Sequence, residues 1–174
     1  MFRNGNADLS LSASQVNIED MFSTYVYTGN GTTQDIVNGI DLATDGGMVW
    51  IKSRATADYN VIYDTARGAH YRLSSNTTDL DTYDATALTT FNADGFDLGA
   101  AGHVNGNTYD FASWTFRKAP RFFDIVTYTG NGVAGREIAH ELGCDVGMII
   151  VKSTSNISTW AVYHISTGET KYLE

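Results

Sequence analysis

The sequence predicts an all-β chain: tandem β-sandwich or jelly-roll-like repeats of about 100 residues, preceded by a short N-terminal segment with one or two helical turns. Three observations lead there. First, Tyr27-Thr28-Gly29-Asn30-Gly31 returns as Tyr128-Thr129-Gly130-Asn131-Gly132. Gly47-Met48-Val49-Trp50-Ile51-Lys52-Ser53 is likewise answered by Gly147-Met148-Ile149-Ile150-Val151-Lys152-Ser153. Val61-Ile62-Tyr63 matches Ala161-Val162-Tyr163, Gly68 matches Gly168 and Leu73 matches Leu173, so one offset of 100 to 101 residues persists throughout. Chance does not hold a register over about 45 residues, which marks a tandem repeat. Second, short apolar stretches of period two recur roughly every ten residues between turn signals, and no long helical pattern appears. Third, 12% aromatic residues, 17 Gly and a single Pro suit many short strands closed by glycine turns.

Residues 1–21 lie outside the repeat and are rich in Asn, Ser and Ala. Within residues 12–22 one or two helical turns are expected, capped by Ser12 or Ser14, with Val16, Ile18, Met21 and Phe22 as apolar contacts. So short a helix does not persist alone in water, which makes these four residues candidates for docking on a partner.

Residues 24–28 read as a strand, and Gly29-Asn30-Gly31 then supplies positive-φ turn positions. Residues 35–37 form a short return strand. Met48-Val49-Trp50-Ile51 is apolar at every position, which suits a central strand covered on both faces, and Lys52 carries its end into water. Trp50, Trp114 and Trp160 are accordingly expected in the core. Residues 60–64 and 71–74 are further strands, and residues 91–99 turn through Asp94-Gly95, a strong hairpin dipeptide. Residues 109–116 alternate, with Tyr109, Phe111 and Ser113 on one face and Asp110, Ala112, Trp114 and Phe116 on the other.

Pro120 marks a seam, because it cannot donate to a ladder and restricts Ala119 before it. The expected organisation is an attachment segment over 1–21, a first sandwich over 22–118, a linker over 119–121, and a second, incomplete repeat over 122–174. Half a sandwich exposes its inner face. The second copy is therefore expected to continue past residue 174, to pack on the first unit, or to be completed by a neighbouring chain.

The net charge of −9 excludes a phosphate-binding surface of clustered Lys and Arg, so nucleic acid is not an expected partner. Residues 74–115 hold no Lys or Arg but contain Asp79, Asp81, Asp84, Asp94, Asp97 and Asp110. Arg117, Lys118 and Arg121 form the one basic knot, which reads as a solvated linker. No apolar run approaches the roughly 20 residues of a membrane-spanning helix, so insertion into a membrane is not expected. The start lacks the basic-then-apolar order of a signal peptide. Cys144 stands alone, so no internal disulfide forms, and it is expected as a small buried apolar residue.

No catalytic constellation is legible. His70, His103, His140 and His164 fall in separate segments without metal-ligand spacing, and His140-Glu141 opens like a zinc-protease helix but meets Cys144 at the fifth position. There is no Gly-x-Ser-x-Gly elbow, and the repeated glycines follow strands with no helix after them to hold a phosphate. Asp79, Asp81 and Asp84 supply hard oxygens but lack the Gly and closing Glu of a calcium loop, so they read as an exposed acidic loop. No enzyme activity, metal or cofactor is expected. Tyr25, Tyr27, Tyr59, Tyr83 and Tyr109 are expected to keep one wet end, as tyrosines do at interfaces. Three Asn-x-Ser/Thr triplets, at Asn30, Asn76 and Asn156, are read as coincidence.

The order of these motifs resembles a known family. Tyr27-Thr28-Gly29-Asn30-Gly31, Val49-Trp50-Ile51-Lys52, Asp64-Thr65-Ala66-Arg67-Gly68, Ser75-Asn76-Thr77-Thr78, residues 91–99 and Trp114-Thr115-Phe116 are similar to a repeated domain of unknown function. That domain occurs in structural and tail-fibre-like proteins of tailed bacteriophages, including phages of marine bacteria and cyanobacteria. The likeness covers residues 22–118 in full and 122–174 in part. The second copy departs from it, with Ile149-Ile150-Val151 around the Trp50 position and Tyr163-His164 where Asp64 stands. The family brings no catalytic residues. The resemblance implies a virion structural protein, made in the host cytoplasm and located in the phage tail, forming the virion-proximal part of a tail fibre or fibre adaptor. It implies attachment to other tail proteins through residues 1–21, self-association as a homotrimer, and host-surface glycan contact through distal residues. Two alternatives stand beside it: a carbohydrate-binding adhesion module, and a capsule depolymerase, which the lack of β-helix repeats of about 20–30 residues disfavours.

Overall fold

The computed structural model describes residues 17–173 apart from Glu169. A 3₁₀ turn, Ile18–Asp20, leads into nine strands: β1 (Phe22–Thr28), β2 (Gln34–Val37), β3 (Gly47–Ser53), β4 (Asn60–Asp64), β5 (Tyr71–Ser74), β6 (Thr82–Tyr83), β7 (Leu88–Phe91), β8 (Gly95–Leu98) and β9 (Asp110–Arg117). One short helix, α1 (Gly102–Asn105), sits between β8 and β9, and a later hairpin is made of β10 (Met148–Val151) and β11 (Ala161–His164). The protein is therefore all-β in class. Of the helical segment expected before β1, one 3₁₀ turn is present, with Asn17 Oδ1 accepting from the Glu19 amide at 3.3 Å. Ser12, Ser14 and Val16 lie outside the described residues.

Two antiparallel sheets make a sandwich-like body. One runs β1-β9-β3-β4-β5-β6 and the other β2-β8-β7. The period-two pattern explains how they close on each other. Tyr27, Val49, Ile51, Val61, Tyr63 and Phe111 point inward from the larger sheet and meet Ile36, Leu88, Phe96 and Leu98 from the smaller one. Ile40 and Leu42, in the β2–β3 loop, are also fully buried and seal one end. Val104 of α1 joins the same core. Burial of these side chains is the main source of stability, at roughly 1.5–3 kcal/mol for each large apolar side chain.

Parity corrects the expectation of core tryptophans. Along β3, Gly47, Val49, Ile51 and Ser53 are buried while Met48, Trp50 and Lys52 are half-buried. The strand is central in its sheet, but its second face is only partly covered. Trp50 lies directly opposite Trp114 across the β3–β9 pair, with ring centroids 6.0 Å apart and edge to face. Phe111, Ser113 and Thr115 take the inner side of β9, so Trp114 must turn outward with Trp50. Trp160 is half-buried as well, anchored by its Nε1–H to the Thr77 carbonyl at 3.0 Å. Cys144 is exposed, contrary to its expected burial, because it lies in an irregular stretch with no sheet over it. Tyr27 has no wet end: it is 8% exposed, and its hydroxyl donates to the Val104 carbonyl at 2.7 Å.

After β9 the chain turns tightly at the Pro120 seam. Ala119 and Phe123 form an isolated bridge, and the rings of Phe122 and Phe123 stand 6.3 and 5.4 Å from Phe116. Lys118 Nζ lies 3.0 Å from the Asp124 carboxylate, whose hydrogen bond holds the ammonium pKa above its usual range. Arg117 pairs with Asp45 at 2.5 Å. Two cations of the expected solvated knot are thus ion-paired.

Beyond the seam, β10 pairs with β11 as Met148↔His164, Ile149↔Tyr163, Ile150↔Val162 and Val151↔Ala161. β3 pairs with β4 as Met48↔Asp64, Val49↔Tyr63, Trp50↔Ile62 and Ile51↔Val61. Every number in the second register is the first raised by 100. The bridge Val162↔Leu173 extends the match, since Ile62↔Leu73 pairs β4 with β5. The rest of the second half is irregular for a topological reason. β1 bonds only to β9, and β2 bonds only to β8. Residues 123–129 and 134–138 lie at the offset of 100 to 101 residues from β1 and β2, and among the described residues no strand is placed to pair with them as β9 and β8 do in the first half.

Candidate functional site

Of the four expected docking residues, Ile18, Met21 and Phe22 are among the described residues. Val16 lies outside the described residues. Ile18 is 52% exposed on the 3₁₀ turn and remains available for contact. Met21 is buried, and its carbonyl accepts from the Arg117 amide at 2.8 Å. Phe22 opens β1 and packs on Phe116 at 4.8 Å between centroids. Met21 is thus buried while Phe22 is half-buried on the outer face of the larger sheet, because the first strand starts two residues earlier than the sequence pattern indicates.

A polar cluster gathers where β5 meets the loops around β6 and α1. Arg72 shares the parity of Ser74, which pairs with inward-facing Val61, so it lies on the Tyr63 side of the sheet. Its guanidinium carbon is 5.2 Å from the Tyr59 ring centroid. Its Nε and Nη1, with Nδ1 of His70, are buried without a hydrogen-bond partner among the described residues. His70 adopts φ 75 and stands edge-on to Tyr83 at 5.6 Å, while Tyr71 meets Tyr83 at 5.3 Å. His103, carried by α1, has Nε2 3.3 Å from the Tyr63 hydroxyl.

Electrostatics assign charge states here. Burial, then the nearby Arg72 cation, holds His103 below its ordinary pKa, so the imidazole is neutral at neutral pH. Burial pushes the Tyr63 hydroxyl well above its usual range. Asp84 stays low: burial opposes ionisation, but hydrogen bonds from the Thr86 side chain and backbone outweigh it. The arrangement offers a cation and buried N–H donors beside the exposed Tyr59 ring, which suits contact with a hydroxylated ligand, while Tyr71 and Tyr83 pair on the other face of β5. It offers no activated nucleophile, since the Tyr63 proton is held by burial.

The remaining sequence candidates stay apart. His140 Nδ1 accepts from the Leu142 amide and His164 Nδ1 lies 2.7 Å from Ser166 Oγ, each a local turn contact. Asp79 and Asp81 lie in the loop before β6, and among the described residues no group of three His, Cys, Asp or Glu is placed to hold a metal ion. Asp64 and Arg67 form a buried ion pair at 2.6 Å, replaced in the second half by His164 and Thr167. Sequence reasoning missed Asn105, which is fully buried and ties α1 to the first glycine turn. Its Nδ2 donates to Thr32 O at 2.6 Å, Gly99 O at 2.9 Å and Asn30 Oδ1 at 3.2 Å, while its Oδ1 accepts from the Asn30 amide at 2.9 Å. Asn105-Gly106-Asn107 reads as an ordinary turn, so no local signal singles it out.

A second surface is the β10–β11 hairpin. All four β10 side chains are exposed, from Val151 at 40% to Met148 at 56%. Hydrogen bonds from Lys152 Nζ and the Ser158 amide to the Thr78 carbonyl fix its loop on the first unit.

These features define an all-β, sandwich-like protein bearing an open apolar hairpin. A family model described as a domain of unknown function (DUF7483) matches residues 17–174, and the chain belongs to that family. No curated protein and no solved structure matches the chain.

Proposed function

We propose that the protein is a structural component of a tailed-phage virion, built of tandem sandwich units and mounted through its N-terminal segment as part of a tail fibre or fibre adaptor. The observation that carries this reading is the repeated strand register, β10–β11 over β3–β4, which fits a modular spacer better than a single catalytic body. The resemblance of its motif order to phage tail-fibre-like proteins supports the virion setting. Exposed Ile18 at the mouth of residues 1–21 suits attachment to another tail protein. Self-association as a homotrimer belongs to the same proposal. The test is deletion of residues 2–20. Purified particles should then lack the protein, while the isolated chain keeps the fluorescence of Trp50 and Trp114 packed on folded sheets. Normal incorporation of the shortened chain would refute the attachment role.

A glycan-binding module is the second reading, favoured by the Arg72 cation over the exposed Tyr59 ring. Glycan-array binding by residues 22–118, lost in Arg72→Ala, would move the conclusion to adhesion.

A further inference from the structure

We infer that the outward edge of β10 is a docking site for one extended polypeptide strand of the β9 pattern, added antiparallel in the register that β9 holds on β3. The inference rests on the repeat within the proposed function, and not on the virion setting.

The equivalence of the two hairpins extends to single atoms. Gly47 O accepts from the Thr65 amide at 3.0 Å, and Gly147 O accepts from the Ile165 amide at 2.8 Å. Ser53 Oγ accepts from the Thr56 amide at 3.1 Å, and Ser153 Oγ from the Asn156 amide at 3.2 Å. The Gly47 carbonyl therefore points toward β4, and backbone groups alternate sides along a strand. Met48, Trp50 and Lys52 turn theirs toward β9. By the same geometry Met148 and Ile150 turn theirs away from β11, to an edge that carries no strand among the described residues.

That edge lacks the features that keep edges single. Met148-Ile149-Ile150-Val151 holds no charge and no proline, and its side chains are 40–56% exposed on both faces. A lone two-stranded hairpin is at best marginally stable in water.

The first unit states what fits. β9 sets Phe116 opposite Met48, Thr115 opposite Val49, Trp114 opposite Trp50 and Ser113 opposite Ile51. The occupant must therefore bring aromatic residues opposite Met148 and Ile150, and small hydroxyl residues opposite Ile149 and Val151. The chain's own β9 cannot serve, because β1 and β3 already bond to its two edges. Strand addition of this kind takes affinity from the backbone and specificity from alternate side chains.

The probe is a synthetic peptide of residues 109–118, added to the isotope-labelled full chain and followed by amide exchange. The Met148 and Ile150 amides should slow roughly tenfold or more, with a scrambled peptide inert. Ile150→Pro removes an N–H that faces outward, so the hairpin survives while strand addition is lost. Equal peptide response in wild type and Ile150→Pro, or no protection at all, would overturn the proposal. Protected β10 amides and a doubled mass without peptide would place a second copy on the edge and overturn it too. Cross-strand contacts between Ile149 and Tyr163 report the repeat register separately. Their absence sinks the repeat reading, and their presence without peptide protection sinks the docking proposal alone.

Discussion

Adding one methyl group at Gly47 should damage the first unit, whereas the same change at Gly147 should do almost nothing. A Cβ on Gly47 would lie 2.2 Å from the Phe116 carbonyl oxygen, 2.7 Å from Leu42 Cδ2 and 3.0 Å from Arg117 Cα. A Cβ on Gly147 meets nothing within 4 Å. Ordinary contact at Gly47 needs β3 and β9 to part by more than about 1 Å, given carbon contacts near 3.5 Å. Overpacking of this kind costs about 1–3 kcal/mol. One or two strained ladder hydrogen bonds add about 1 kcal/mol each. Loss of the glycine's unfolded-state freedom returns about 0.5 kcal/mol. Gly47→Ala should therefore lose about 3 kcal/mol, a drop in Tm of roughly 12–24 °C for a unit of this size. Gly147→Ala should stay within about 0.5 kcal/mol of wild type. Urea unfolding followed by tryptophan fluorescence measures both, because Trp50 and Trp114 face each other across the strained pair. A Gly47→Ala protein as stable as wild type would mean that β3 and β9 do not approach as described, and the sheet order would fall with them.

Two further outcomes test the interior. Asn105→Ala leaves the Thr32 and Gly99 carbonyls and the Asn30 side chain without their donor, so about 2–4 kcal/mol should be lost in thermal or urea unfolding; a change within about 0.5 kcal/mol would show that the network is not closed. His103 is held below its ordinary pKa of 6.5, so below that pH the unfolded chain binds a proton that the folded chain refuses. Its contribution is complete above about pH 6.5, falls as the pH drops, and levels once the depressed folded value is passed. Urea midpoints measured from pH 8 to 5 should show that slope, and His103→Gln should flatten it.

Most strands were legible from period and turns. Residues 60–64 and 71–74 are strands at the expected bounds, and Asp94-Gly95 does lie at the β7–β8 turn. Gly31 and Gly132 both take positive φ, 69 and 70, as the turn after a strand requires. The alternation in β9 separates an inner Phe111 and Ser113 from an outer Trp114 and Phe116, as written in the sequence. The polar cluster was not legible, because Tyr59 and Tyr63, His70 and Arg72, Tyr83, and His103 come from four segments that only the sheet order unites. That Met21 is buried and Phe22 packs on Phe116 was not legible either, because both contacts depend on β1 lying against β9.

The sequence by itself determined the all-β class and the offset of about one hundred residues, because side-chain periodicity and glycine turns are local properties of the chain. Which face of each strand is inner was decided by tertiary structure. Met48-Val49-Trp50-Ile51 is apolar throughout, so only the sheet of Ile36, Phe96 and Leu98 settles that Val49 and Ile51 are sealed and Trp50 is not. Tertiary structure also decided which matching segments become strands. Residues 123–129 keep the Phe, Tyr and Thr of β1 as Phe123, Tyr128 and Thr129 yet stay irregular, because a strand exists only where a partner satisfies its backbone.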